Sequence, residues 1–297
     1  MPSQTAERQT RGPDRGRAAV PRRDRNDPAQ YDDLADEWWP THGRFAALRW
    51  LAAARATLLP SPPAPGAPLL DVACGAGLLR PHLTGRLAGW RHVGVDLSAS
   101  AVAQARAHGV TAVRGDALRL PFRDASVSCV VAGEILEHLD DLDTACAELA
   151  RVLTPGGTLV LDTLADTLLC RVVLVRIAER LPGGPPPRIH DPKLFVGPGR
   201  LAELLARHGV HLTLLRGLRP SLLDYPRWLA GRLDQVRMLP TRSTSCVYQA
   251  RGEKTRGRTT GDGETGGGET GQERVGAVPE DRRAGADEGV ARAGGSR

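Results

Sequence analysis

The stretch Leu69 to Gly77, LLDVACGAG, constrains the fold more than any other: an apolar run ends in an acid and then in two glycines one residue apart. Pro68 to Ala73 reads as a buried parallel strand, and the residues from Leu78 as the helix that follows it. Gly75 and Gly77 therefore fall in the strand-to-helix turn. A missing Cβ there lets the backbone take positive φ and lets a flat ligand lie against the main chain.

Strands and helices alternate from this point on, which is the pattern of a parallel sheet covered on both faces. The reading places helices at 78–88, 98–108, 142–153 and 198–208, and strands at 92–96, 110–114, 126–132, 158–162 and 210–215. Pro155-Gly156-Gly157 is read as the turn into 158–162, and a last strand near 246–250 as returning antiparallel. The expected fold class is α/β: a doubly wound, seven-stranded, mostly parallel sheet with one antiparallel strand near the C-terminal end.

The dinucleotide fingerprint GxGxxG needs a third glycine at position 80, where this chain has Arg80. Asp71, at the strand tip, would repel phosphates and suits a ligand that carries a cationic amine and no pyrophosphate. S-adenosylmethionine (SAM) fits that description. Asp96, ending the next strand in HVGVDLS, stands where a ribose diol is hydrogen-bonded in doubly wound nucleotide sites, although an acid there also serves to cap the helix beginning near Ser98.

With these residues in hand, LLDVACGAGLL, GVDLSASAVAQAR, GDALRLPF, GEILEHLDD and LTPGGTLVLDT follow one another in the order and spacing of class I SAM-dependent methyltransferases, which the chain resembles. The flanks YDDLADEWWPTHGRFAALRWLAAAR and RIHDPKLF resemble the ubiquinone-biosynthesis O-methyltransferases, which methylate catechol-type hydroxyls on polyprenylated rings. The resemblance implies a Rossmann-like methyltransferase sheet. It implies a cofactor site at Arg55, Asp71, Ala73, Gly75, Gly77, Asp96, Leu97, Asp116, Ala117 and Gly133, with Arg55 against the SAM carboxylate and Asp116 at the adenine amino group. Ala73 stands where the family has glycine, Gly133 where it has a larger apolar residue, and Arg219 to Ser243 is longer and more basic than its counterpart; these departures open the acceptor to a non-quinone phenol.

Methyl transfer to oxygen requires a positioned, deprotonated hydroxyl. If Gly133 to His138, GEILEH, turns helically, Glu134, Glu137 and His138 share one face. Two carboxylates and an imidazole suit Mg²⁺ or another divalent cation, and the resembled family uses this motif as such a metal site. Three readings stand side by side: metal binding, His138 as general base with Glu134 near the cofactor, and a structural role. His190 in RIHDPKLF is a further candidate base or substrate contact.

The chain has 297 residues, 41% of them hydrophobic, enough for one large core. Residues 1–29 and 251–297 read as unstructured, the latter from its low-complexity GDGETGGGETG, leaving a methyltransferase domain at 30–250. Tyr31 to Trp39 reads as a short helix lying over a pocket or as a hydrophobic anchor, and Phe45 to Leu59 as a helix. The five cysteines show no CxxC spacing and read as reduced thiols. With no long apolar run and no leader-like start, the expected location is the cytoplasm. The net charge of +6 is concentrated between Arg171 and Arg237, with twelve basic against five acidic residues. Within the insertion at 164–190, LADTLLCRVVLVRIAERL interleaves apolar residues with Arg171, Arg176 and Arg180, the pattern of a lid or of peripheral contact with an anionic membrane. The scarcity of aromatics for base stacking speaks against nucleic acid. The expected partner is a small hydroxylated aromatic acceptor. Competing readings are a metal-free methyltransferase of another small molecule, an RNA ribose 2′-O-methyltransferase and a non-catalytic SAM-binding protein.

Overall fold

Leu69, Leu70, Asp71 and Val72 are all buried, so the strand they form has to lie inside the sheet with cover on both faces. In the computed structural model, which describes residues 23–256, it does. The strands are β1 (Pro68–Val72), β2 (Arg91–Asp96), β3 (Thr111–Arg114), β4 (Val127–Gly133), β5 (Leu153–Leu164), β6 (Val210–Pro220), β7 (Met238–Thr241) and β8 (Val247–Lys254). They form one sheet in the order β3-β2-β1-β4-β5-β8-β6-β7. The first five run parallel, β8 is antiparallel to both β5 and β6, and β7 is antiparallel to β6. This is the expected doubly wound architecture with eight strands in place of seven.

The helices are α1 (Ala29–Asp33), α2 (Ala46–Ala56), α3 (Ala99–Ala107), α4 (Leu142–Val152), α5 (Leu168–Val172), α6 (Pro198–Arg207) and α7 (Asp224–Leu229). Alternation along the strands sorts the core by face. Leu70, Val130, Ala132, Leu159 and Leu161 pack against Leu149 of α4 and Leu201 and Leu205 of α6. Leu69, Cys129, Val131 and Val160 pack on the other side against Leu59, Leu79, Leu83 and Trp90. Ser98 caps α3 by accepting from the Ala101 N–H at 3.1 Å, and Asp141 caps α4 by accepting from Thr144 at 3.0 Å.

Four expectations change. The segment read as a helix at 78–88 forms only the 3₁₀ turns Arg80–His82 and Gly85–Leu87, because Pro81 and the positive-φ Gly85 interrupt the helical ladder. Pro155 to Gly157 lies within β5, where the register against β4 shifts between Val127 and Cys129, instead of forming a turn before it. The long basic stretch after Arg219 contains α7 and the extra strand β7. That strand is at the sheet edge, where Pro240 is tolerated because no ladder N–H is needed on the outer side. Residues 23–28, expected to be unstructured, are in place and contact the site. Ala29 opens α1, and β8 runs on to Lys254, past the expected boundary at 250; the remainder of the expected unstructured ends, 1–22 and 257–297, lies outside the described residues.

Candidate active site

The chain runs outward from β1 to β3 and then crosses back to β4, so a crevice opens beyond the carboxyl ends of β1 and β4, the switch point where doubly wound sheets bind ligands. A cavity of about 780 Å³ occupies it. Of the residues expected at the site, Arg55, Asp71, Ala73, Gly75, Asp96, Leu97, Asp116, Ala117, Gly133, Glu134, His138 and His190 line this cavity, and Gly77 and Glu137 do not.

Ala73, Gly75 and Gly77 all have positive φ, at 55°, 53° and 84°. This bend aims the Gly75 N–H at Asp96 Oδ2 at 2.8 Å, while the Ser98 N–H donates to Oδ1 at 2.9 Å. Each Asp96 oxygen is thus oriented by one backbone donor and keeps a lone pair for a hydroxyl. Burial pushes this carboxyl above its usual range. Asp96 therefore serves the bend as well as the cavity. Ala73 holds its left-handed conformation at a cost of roughly 1–2 kcal/mol that glycine would avoid. Gly77 has a packing role: a Cβ there would come within 2.8 Å of Val110. A Cβ on Gly75 would meet the Trp38 ring at 2.7 Å, so the indole stands directly on the bend, stacked on Phe45 at 4.3 Å. The segment from Tyr31 to Trp39 does cover the pocket. Asp116 Oδ1 accepts from the Leu118 N–H at 2.9 Å, which shapes the loop that presents Ala117.

Two expected cofactor contacts are already engaged. Asp71, buried at the end of β1, pairs with His92 Nε2 at 3.0 Å on β2. Arg55 is carried by α2 onto the same face of the sheet, where its Nε and Nη2 donate to Asp162 of β5 at 2.8 and 2.6 Å. Both partners of this fork are buried, so Arg55, expected against a SAM carboxylate, is engaged in a bidentate ion pair within the protein at the cavity wall. It also explains Gly133: a Cβ there would sit 1.8 Å from Arg55 Cζ, so the small residue makes room for the guanidinium.

The helical face expected for GEILEH does not form. Glu134 has φ 52°, and only Leu136–His138 make a single 3₁₀ turn. Glu134 turns toward Asp162. Burial foremost, then the charges of Glu137 and Asp162, push its carboxyl well above the usual range, with Arg55 opposing. Glu137 is wholly buried and its Oε2 accepts from the Thr163 hydroxyl at 2.7 Å; burial raises its carboxyl to about 7.

His138 is held from the N-terminal segment. The Asn26 Nδ2 donates to the His138 carbonyl at 2.9 Å, which places Asn26 Oδ1 2.5 Å from His138 Nδ1. An amide oxygen only accepts, so Nδ1 carries the ring proton and Nε2 presents a lone pair, 3.2 Å from the Tyr31 hydroxyl. Burial lowers the imidazole to about 4, keeping it neutral. His190 stacks on His138 at 5.0 Å between centroids. Donor atoms of Glu137, His138 and His190 lie within 4.8 Å of one another, and Glu134 stands outside that group. Glu137 Oε1 and His190 Nδ1 are buried without a partner, a donor set that a divalent cation would satisfy.

Asp162 and Asn26 were not expected at the site, and Tyr31 was expected there only as part of the segment over the pocket. Asp162 falls near the carboxyl end of an apolar strand, as Asp71 and Asp96 do, and that repeated acid is the signal that marks it. Asn26 gives no such signal, because it lies in a polar, arginine-rich segment. The far wall of the cavity is apolar, built from Leu169, Val173, Leu174, Ile177, Leu218 and Met238 among others.

Fold and crevice together define a class I SAM-dependent methyltransferase, and the comparisons agree. The family described as a methyltransferase domain matches residues 70–161. A SAM-dependent methyltransferase structure from Thermotoga maritima superposes with a TM-score of 0.52 at 22% identity, over 74% of this chain and 94% of that one. The ubiquinone biosynthesis O-methyltransferase of Hahella chejuensis is 30% identical over 216 residues, 68% of this chain and 88% of its own length. The chain belongs to the ubiquinone biosynthesis O-methyltransferase family. Against the mitochondrial member from Mus musculus it is likewise 30% identical, over 66% of this chain, and the match spans 58% of that relative's length.

Proposed function

We propose that this chain transfers a methyl group from SAM to a hydroxyl of a catechol or phenol, with a polyprenylated quinone precursor as the leading acceptor. The observation that carries the reading is the neutral His138, whose Nε2 lone pair is fixed by Asn26 in the same cavity as Asp71 and Asp96. SAM supplies an electrophilic methyl group. Its sugar fits the free lone pairs of Asp96, its aminoacyl end the cavity edge at Asp71, and its base the loop of Asp116 and Ala117. His138 takes the acceptor proton, Tyr31 orients the imidazole, and the aromatic cover of Trp38 and Phe45 keeps water from the bend.

A divalent cation, Mg²⁺ among them, fits Glu137, His138 and His190, and when bound it lowers the pKa of an acceptor hydroxyl. The apolar far wall suits a hydrocarbon tail. Beside it Leu168, Leu169, Val172 and Ile177 are exposed amid Arg171, Arg176 and Arg180, which supports peripheral contact with an anionic membrane. Among the described residues no helix is long and apolar enough to cross one.

The test is incubation of the purified chain with methyl-labelled SAM and a panel of catechols, with and without prenyl tails, before and after treatment with chelator. Label in a catechol oxygen supports the reading, and failure with every phenol would sink it. Turnover lost on chelation and restored by Mg²⁺ supports the cation; undiminished turnover leaves His138 acting alone.

A further inference from the structure

Away from the acid and imidazole cluster, two of the five cysteines meet. Cys170 lies on α5 and Cys246 at the entry to β8, and their sulfurs are 3.6 Å apart. The backbone holds both partners. The Ala165 N–H donates to the Cys246 carbonyl at 2.7 Å, and the Thr167 hydroxyl donates to the Ser245 carbonyl at 2.5 Å while accepting from the Cys170 N–H at 3.0 Å. A disulfide of about 2.05 Å would need the sulfurs to close by roughly 1.5 Å.

The two thiols differ in access. Cys170 is fully buried, whereas Cys246 is half-buried and lines the cavity. A reagent therefore reaches Cys246 first, by way of the cavity. The contact with Cys170 also lowers the Cys246 thiol below its ordinary range, while the same contact and burial raise Cys170. Thiolate character combined with access governs oxidation, and a second thiol in contact resolves the product. The remaining cysteines, Cys74, Cys129 and Cys146, are buried, and burial pushes each thiol up.

We propose that Cys170 and Cys246 form a peroxide-reactive dithiol, an oxidation site that opens on the acceptor cavity and takes small hydroperoxides. The Cys246 thiolate attacks the O–O bond. One oxygen stays on sulfur as a sulfenic acid, and the other leaves with a proton as water or alcohol. The Cys170 sulfur, giving up its proton, then displaces the sulfenic hydroxyl as water. Two S–H bonds are lost, one S–S bond forms, and the peroxide is reduced by two electrons. The product staples the first turn of the apolar insertion to the sheet. The site stands independently of methyl transfer.

The experiment is to treat the reduced full-length protein with hydrogen peroxide, block remaining thiols with N-ethylmaleimide, and map peptides by mass spectrometry. The expected product is a single cross-linked pair joining Cys170 to Cys246, about 2 Da lighter than the two reduced peptides together. In Cys170→Ser the reaction stops at a sulfenic acid on Cys246, trapped by dimedone; in Cys246→Ser, Cys170 stays reduced. Maleimide labelling of both cysteines at the level of untreated protein, first oxidation at Cys170, or a cross-link to another cysteine would overturn the proposal. Should a serine variant fail to fold, the map of the unsubstituted protein decides alone.

Discussion

The two walls of the cavity are built on different principles. On the wall at the ends of β1, β2, β4 and β5, polar groups hold one another: Asp96 on two backbone N–H groups, Asp71 on His92, Arg55 on Asp162. On the wall formed by α5, the turns after it and the ends of β6 and β7, apolar side chains dominate, and several are also exposed, with Ile177 at 48% and Leu222 at 75%. The first wall gives up conformational freedom to fix a polar ligand; the second keeps an adaptable greasy surface for an apolar one. On the proposed function, cofactor geometry is set by the fold, and acceptor choice is left to a segment that can vary without disturbing it.

That contrast breaks most sharply at Arg55. Arg55→Leu strands the buried Asp162 beside Glu134 and Glu137, and we expect a stability loss of about 3–5 kcal/mol in urea unfolding; a loss below about 1 kcal/mol would mean the pair is not buried as described. Asp96→Ala comes next, removing charge-assisted hydrogen bonds worth about 1.5–3 kcal/mol, so calorimetry with S-adenosylhomocysteine should show roughly 10- to 100-fold weaker binding. Asn26→Ala frees the imidazole to take either tautomer and should lower kcat by about tenfold or more, while the KM for SAM holds steady. A matching rise in the SAM KM would place Asn26 on the cofactor wall instead. The smallest stability effect belongs to the apolar wall: Leu168→Ser with Ile177→Ser should change stability by no more than about 0.5 kcal/mol, since both residues are exposed, yet reduce capture by anionic vesicles. Unchanged vesicle binding would reduce that surface to a lid.

The same division marks what can be read from the chain. Gly75, Asp96 and the succession of parallel strands along the chain are legible because each follows from a local pattern: an apolar run, an acid near its end, a small residue in the turn. Glu134, Glu137 and His138 are legible as a polar group just past β4, beside the cavity, and their arrangement is not. One left-handed residue, Glu134, turns a carboxylate away, and His190 arrives from 52 positions beyond His138 to complete the cluster. Arg55 finds Asp162 across 107 positions, a tertiary pairing with no local trace. β7 escapes notice for a different reason, since a short edge strand containing proline has no interior alternation to display.

Asn26 lies 44 residues before the segment matched as a methyltransferase domain, yet it assigns the proton on His138. A recombinant version begun just after Asn26 would keep the strands, α2, the glycine bend and Asp96 while losing the group that decides which imidazole nitrogen is basic. On the proposed function such a fragment would bind nucleotide and turn over poorly, which would make the residues ahead of the motifs part of the catalyst.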